Sequence, residues 1–134
     1  MLIEFGTEAF RDQPLWSEAV RFNTQAHRVA LGAIPHDREP HLTALLRASL
    51  SAIEANVVEG CTNPDSSHSV ECFRIALGFT AEVAHVLDEA RARGYLTTQH
   101  MAALTSELSD LRGLIAEELA GVEADMMPAP DPMF

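Results

Sequence analysis

Met101-Ala102-Ala103-Leu104-Thr105-Ser106-Glu107-Leu108-Ser109-Asp110-Leu111-Arg112-Gly113-Leu114-Ile115-Ala116-Glu117-Glu118-Leu119-Ala120-Gly121-Val122 is the stretch that decides the fold. Met101, Leu108, Ile115 and Val122 recur every seven residues, with Leu104 and Leu111 between them. Glu118 interrupts this second row, and Leu119 takes its place one position later. Apolar residues at alternating steps of three and four lie along one stripe of an α-helix, and such a stripe needs other helices to cover it. The stretch is therefore the seam of a helix bundle. Its helix opens at Thr97 or Thr98, residues whose hydroxyl can accept from free backbone N–H groups, and spans about 98–125.

Three more helices precede it. The third, about 66–93, follows the turn Asn63-Pro64-Asp65, is capped by Asp65, Ser66 or Ser67, and stops at Gly94. The second, about 40–59, carries Pro40 in its first turn and ends at Gly60. Leu42, Leu46, Ser49, Ile53 and Asn56 share one of its faces, flanked by Leu45, Leu50 and Val57. The first, about 14–31, begins after Asp12 or Gln13 with Pro14 and ends at Gly32; its stripe reads Trp16, Val20, Asn23, His27 and Ala30, with Ala19 and Ala26 beside it. The segment 32–40 contains Pro35, Pro40 and mixed charges, and is loop. The expected organisation is an N-terminal arm over 1–11, one all-α four-helix bundle over 12–125, and a disordered tail over 126–134 with Pro128, Pro130 and Pro132.

The third helix differs from the others in being apolar on two sides. Val70, Phe73, Leu77, Thr80, Ala84 and Leu87 form one stripe, while Cys72, Ile75, Phe79 and Val86 form another about 100° away. Gly78 and Ala81 keep the remaining side small. A bundle core covers one side, so Cys72, Ile75, Phe79 and Val86 are expected at an interface with another subunit or a partner; the alternative is an unusually central helix within one chain.

Composition narrows the function classes. The chain has 134 residues, 47% of them hydrophobic, enough for one domain with a core of its own. All nine basic side chains are Arg; against them stand 20 acids, for a net charge of −11. Such a surface repels phosphate backbones and anionic lipid, unless Arg11, Arg21, Arg28, Arg38 and Arg47 gather on one face. Two cysteines, Cys61 and Cys72, no basic and apolar leader, and no stretch long enough to span a membrane point to the reducing cytoplasm.

Chemistry is sparse. Glu82-x-x-His85 has the helical spacing of a di-iron ligand pair, but a second such pair is missing. His27 on the first helix reads as a core or interface histidine. No Ser or Cys sits in a nucleophile motif, and no Gly-rich turn with a lysine is present to hold phosphate. The expectation is a protein that is not an enzyme, without metal or other cofactor.

Leu46-Arg47-Ala48-Ser49-Leu50-Ser51-Ala52-Ile53-Glu54-Ala55-Asn56-Val57-Val58-Glu59-Gly60 resembles the second-helix pattern of the 23S rRNA intervening-sequence four-helix proteins. Phe73-Arg74-Ile75-Ala76-Leu77-Gly78, followed by Glu82, is similar to that family's third-helix pattern, and Arg93-Gly94-Tyr95-Leu96 to its turn before the last helix. Phe10-Arg11-Asp12 and Leu15-Trp16 with Ala19 resemble the opening of its first helix; the likeness spans about residues 10–120. The resemblance implies an antiparallel up-down bundle that assembles as a homopentamer. Relatives of this family include the basic pentameric accessory proteins of diversity-generating retroelements, which bind a reverse transcriptase and nucleic acid. Here Asn63-Pro64-Asp65-Ser66-Ser67-His68 replaces a basic run, Glu71 stands where an Arg is usual, and Ala48 where a second Arg is common. These departures remove positive charge. The expected function is thus a homo-oligomeric scaffold or accessory protein whose partners are further copies of the chain and an unidentified protein, with nucleic acid disfavoured and no membrane. The alternative is a nucleic-acid-binding accessory protein of the retroelement type. Arg47, Asn56, Glu59 and Glu82 are the polar residues of the shared pattern, expected as a hydrogen-bonded set that keeps the helices in register.

Overall fold

Each turn between the last three helices is built from short-range chemistry that its own residues supply. Asn63 Oδ1 accepts from the backbone N–H of Asp65, whose carboxylate in turn accepts from the N–H of Ser67, so Asp65 caps the helix that follows. Thr97 does the same for the last helix, accepting from the N–H of His100. Between these caps, Gly94 takes φ +85°, a conformation that costs glycine little. It lets the N–H of Gly94 reach the carbonyl of Arg91 and that of Tyr95 the carbonyl of Ala90, the paired bonds of a Schellman turn. Asp65, Thr97 and Gly94 thus play the parts that the sequence gives them.

A computed structural model describes residues 13–128, all helix or loop, with no strand among them. α1 spans Pro14–Ala26 and continues through a π-helical turn, His27–Leu31. α2 is Pro40–Thr62, α3 is Ser66–Ala92 and α4 is Thr98–Met126. The expected arm over 1–11, the Asp12 cap and residues 129–134 of the expected tail lie outside the described residues. Contact is most extensive between α2 and α3, then between α3 and α4, while α1 lies against both α4 and α2. Every helix therefore has two principal neighbours.

That arrangement explains where the apolar residues go. On α4, Leu104, Leu108, Leu111 and Ile115 are buried, and Met101, Leu119 and Val122 pack half-buried against them. α3 sits between α2 and α4 and buries a broad face: Val70, Cys72, Phe73, Ala76, Thr80, Val83, Val86, Leu87 and Ala90. Cys72 and Val86, expected at an outer interface, are covered by the chain itself, Val86 completely. Phe79 is half-buried against the core, and of the four interface candidates only Ile75 is exposed. The second apolar side of α3 is largely taken up by a second neighbouring helix of the same chain.

Two glycines do other work than the sequence suggests. Gly60 does not end α2, which runs on to Thr62 with Asn63 as its C-cap. Instead Gly60 is buried where α2 meets α3: a Cβ there would lie 2.6 Å from Cε1 of Phe73. Its role is close approach. Gly32 has φ −70°, ordinary helical backbone, so it makes no left-handed cap; the chain turns away after Ile34, whose N–H donates to the carbonyl of Ala30, and at Pro35. The face of α1 also differs from the expected stripe by about one residue. Leu15, Ala19, Phe22, Ala26, Ala30 and Ile34 are buried, Trp16, Val20 and Asn23 are half-buried, and His27 is exposed. After Ala26 the buried positions advance by four and again by four. The extra residue of the π turn keeps Ala30 and Ile34 facing the core where a regular helix would rotate them away.

Candidate functional site

The π turn begins at His27, beside a cleft between α1 and α2. Val20, Asn23, Thr24, His27 and Arg28 of α1 and its π turn line it, with Ser51 and Glu54 of α2, around a space of about 620 Å³. Asn23 is the joint between the two helices. Its Nδ2 donates to Glu54 Oε2 at 2.5 Å and reaches the carbonyl of Leu50 at 3.5 Å. An ionised carboxylate only accepts, so the amide must turn its NH₂ group to Glu54, which fixes the place of its oxygen. That oxygen, Asn23 Oδ1, is buried and accepts no hydrogen bond from the described residues. Arg28 turns to Gln25 Oε1 on its own helix, leaving Glu54 without a cationic partner among the described residues. Thr24, His27, Arg28 and Ser51 are exposed at the rim. The cleft thus combines one carboxylate, one unsatisfied amide oxygen, two hydroxyls, an imidazole and a guanidinium.

A second polar cluster holds the two ends of the chain's turns together. Arg93 Nη1 donates to both oxygens of Glu39, each at 2.6 Å, and Arg93 Nε donates to Glu89 at 3.1 Å. Tyr95 adds its hydroxyl to Glu39 Oε2 at 2.9 Å. The hydrogen bond from Arg93 and then that from Tyr95 hold the Glu39 carboxyl below its ordinary pKa, and the same bond raises that of Tyr95. Glu39 and Tyr95 are 56 positions apart, so no local pattern reveals the pair. The cluster clips the start of α2 to the α3–α4 turn and is structural.

The polar residues of the expected register set are not brought together. Arg47 is exposed. Asn56 donates to the carbonyl of Ala52 within α2. Glu59 is exposed and accepts from Asn63 Nδ2, with the His68 ring at 3.2 Å. Glu82 is half-buried, and no hydrogen bond or ion pair joins these four to one another among the described residues. Cross-helix ties come from other residues: Asn23 to Glu54, Arg74 to Glu123 at 2.5 Å, and Arg112 to the buried hydroxyl of Thr80 at 3.0 Å. Among the described residues no three His, Cys, Asp or Glu side chains come together as metal ligands, those around Glu82 and His85 included. Both Cys61 and Cys72 are free; burial, then the charge of Glu118, pushes the Cys61 thiol up to about 11.

The outer edge of the α3–α4 pair carries a groove of about 730 Å³ lined by Val70, Arg74, Ala120, Ala124, Met126 and Met127, among others. No described helix is long and apolar enough to cross a membrane. Arg21, Arg28, Arg38 and Arg47 are exposed, but Arg21 pairs with Glu18 and Arg28 with Gln25, and Arg11 lies outside the described residues.

No curated protein matches the chain. A family model described as 23S rRNA-intervening sequence protein matches residues 11–117. The matched span takes in α1, α2, α3, the Gly94 turn and most of α4, the elements that form the core and hold both the cleft and the Glu39 clip. On that match the chain belongs to the 23S rRNA-intervening sequence protein family.

Proposed function

We propose that this protein is a non-catalytic helical scaffold that assembles with copies of itself and presents the assembled surface to a protein partner. One observation carries the reading. Met126 and Met127, two of the three exposed large apolar side chains among the described residues, have 46% and 74% of their surface accessible and line the groove where α3 meets the end of α4. Single exposed apolar residues are ordinary, but a cluster beside an apolar groove marks an interaction surface. Gly78 and Ala81, exposed on α3, would let another helix come close.

The reading includes an up-down antiparallel order of helices. Arg74 bonds to Glu123 and Thr80 to Arg112, so positions rise along α3 as they fall along α4, which supports that order. A subunit count of five rests on the resemblance to the retroelement accessory proteins. The free thiols support a reducing compartment, the cytoplasm. A net charge of −11 per chain favours a protein over a nucleic acid as partner. Light scattering at low micromolar concentration tests the assembly: a mass near five times 14.6 kDa is expected. A monomer would refute the scaffold, and a dimer would refute the count.

A further inference from the structure

We propose that the cleft between α1 and α2 binds a zwitterionic ligand: Glu54 and Asn23 take its cationic nitrogen, an alkylammonium or alkylguanidinium group, and Arg28 and His27 take an anionic group beside it. This goes beyond the scaffold reading and does not depend on it, since the cleft lies on another pair of helices.

The floor of the cleft offers acceptors only. Glu54 uses Oε2 on Asn23, while Oε1 receives no donor from the described residues. Asn23 Oδ1 is closed off from solvent and receives none either. A buried acceptor left unpaired is costly, and native proteins usually give it a partner. Two acceptors, one of them charged, select a donor that is itself cationic. Oδ1 is out of reach of solvent, so a donor reaches it only when the side chains that cover it move aside. The mouth has the opposite character. Arg28 spends one nitrogen on Gln25 and points its charge to no acid among the described residues. With Glu54 and Arg28 both lining the cleft, a simple diamine or a simple anion would meet one like charge, whereas a zwitterion meets none. A space of about 620 Å³ is within the range of about 300–1,000 Å³ that holds small molecules. The π turn that starts at His27 is of a kind concentrated at functional sites, because its extra residue re-aims side chains without breaking the helix.

The same chemistry could come from a free amino acid or from a basic side chain next to an acidic one in a protein. Titrations of the ¹⁵N-labelled protein by NMR with L-arginine, agmatine and a blocked Arg-Asp dipeptide separate the sources. Saturable shifts confined to residues 20–28 and 50–54 are expected with arginine. Agmatine, which keeps the guanidinium and lacks the carboxylate, should bind about tenfold more weakly, and Glu54→Gln should weaken arginine by at least about tenfold. Ser51→Lys, a change at an exposed position, brings a competing ammonium into the cleft and should abolish binding even where Glu54→Gln fails to fold. Saturation by the dipeptide in place of arginine would support the site and assign it to a protein side chain. No saturable shift with either would overturn the proposal and leave water to satisfy Asn23. Binding unchanged by Ser51→Lys would overturn it as well.

Discussion

Gly60→Ala sets two well-defined terms against each other. The new Cβ would stand 2.6 Å from Cε1, 2.8 Å from Cζ and 3.0 Å from Cδ1 of Phe73, where carbon atoms normally rest about 3.5–4.0 Å apart. Phe73 is 1% exposed, so its ring has no free space into which to swing. Either the ring leaves its rotamer or α2 and α3 separate, and overpacking of this kind costs about 1–3 kcal/mol. Against it stands the greater helix propensity of Ala, at most about 1 kcal/mol in a helix interior and less this near the end of α2. The net expectation is a loss of about 1–2 kcal/mol, or roughly 4–8 °C in Tm. Gly121→Ala is the control: nothing lies within 4 Å of its Cβ, so the propensity term acts alone and stabilises by up to about 1 kcal/mol. Urea denaturation followed by circular dichroism, at one protein concentration because assembly adds to stability, reads both changes. A Gly60→Ala variant as stable as the parent would refute the claim that close approach, and not helix termination, explains this glycine.

The Glu39 clip makes stability depend on pH at both extremes. Its carboxyl titrates below the ordinary value of 4.5, so its contribution is present above that value and fades as pH falls through the lower folded one; Glu39→Gln should remove that acid-side loss in a pH series of Tm values. Tyr95 titrates above 10, so its contribution is present below 10 and fades as pH rises through the folded value, a decline that Tyr95→Phe should abolish. With its thiol at about 11, Cys61 should react slowly with maleimide at neutral pH, the more enclosed Cys72 more slowly still, and both rapidly in urea; prompt labelling of the native protein would contradict this. Fluorescence anisotropy with duplex DNA or an RNA hairpin near physiological salt should show no saturable binding below about a micromolar, given 20 acids to nine Arg.

Features set by neighbours in the chain were legible in the sequence. The α4 seam follows from a repeating spacing, and the Asp65 and Thr97 caps and the Gly94 turn follow from residues within a few positions. Features set by distant contact were not. A glycine under a phenylalanine from another helix reads the same as a glycine that ends a helix, which is how Gly60 misleads. The two apolar sides of α3 are real, but periodicity does not say whether a second neighbour comes from the same chain, and Cys72 and Val86 are covered by it. The π turn leaves no mark beyond the double step of four from Ala26 to Ile34. The cleft was legible only through Asn23, a polar residue on the expected apolar stripe of the first helix. Glu54 lies 31 positions away, and nothing local points to it.

The central claim is that the α3–α4 edge joins copies of the chain, and Met126→Glu tests it most directly. Met126 is exposed and outside the core, so the variant should keep the helical circular dichroism of the parent while placing a charge in the contact. Sedimentation velocity on parent and variant at equal concentration is the decisive measurement. The account predicts an oligomer for the parent and a monomer of 14.6 kDa for the variant. An unchanged oligomer in the variant would contradict it, as would a parent that sediments as a monomer.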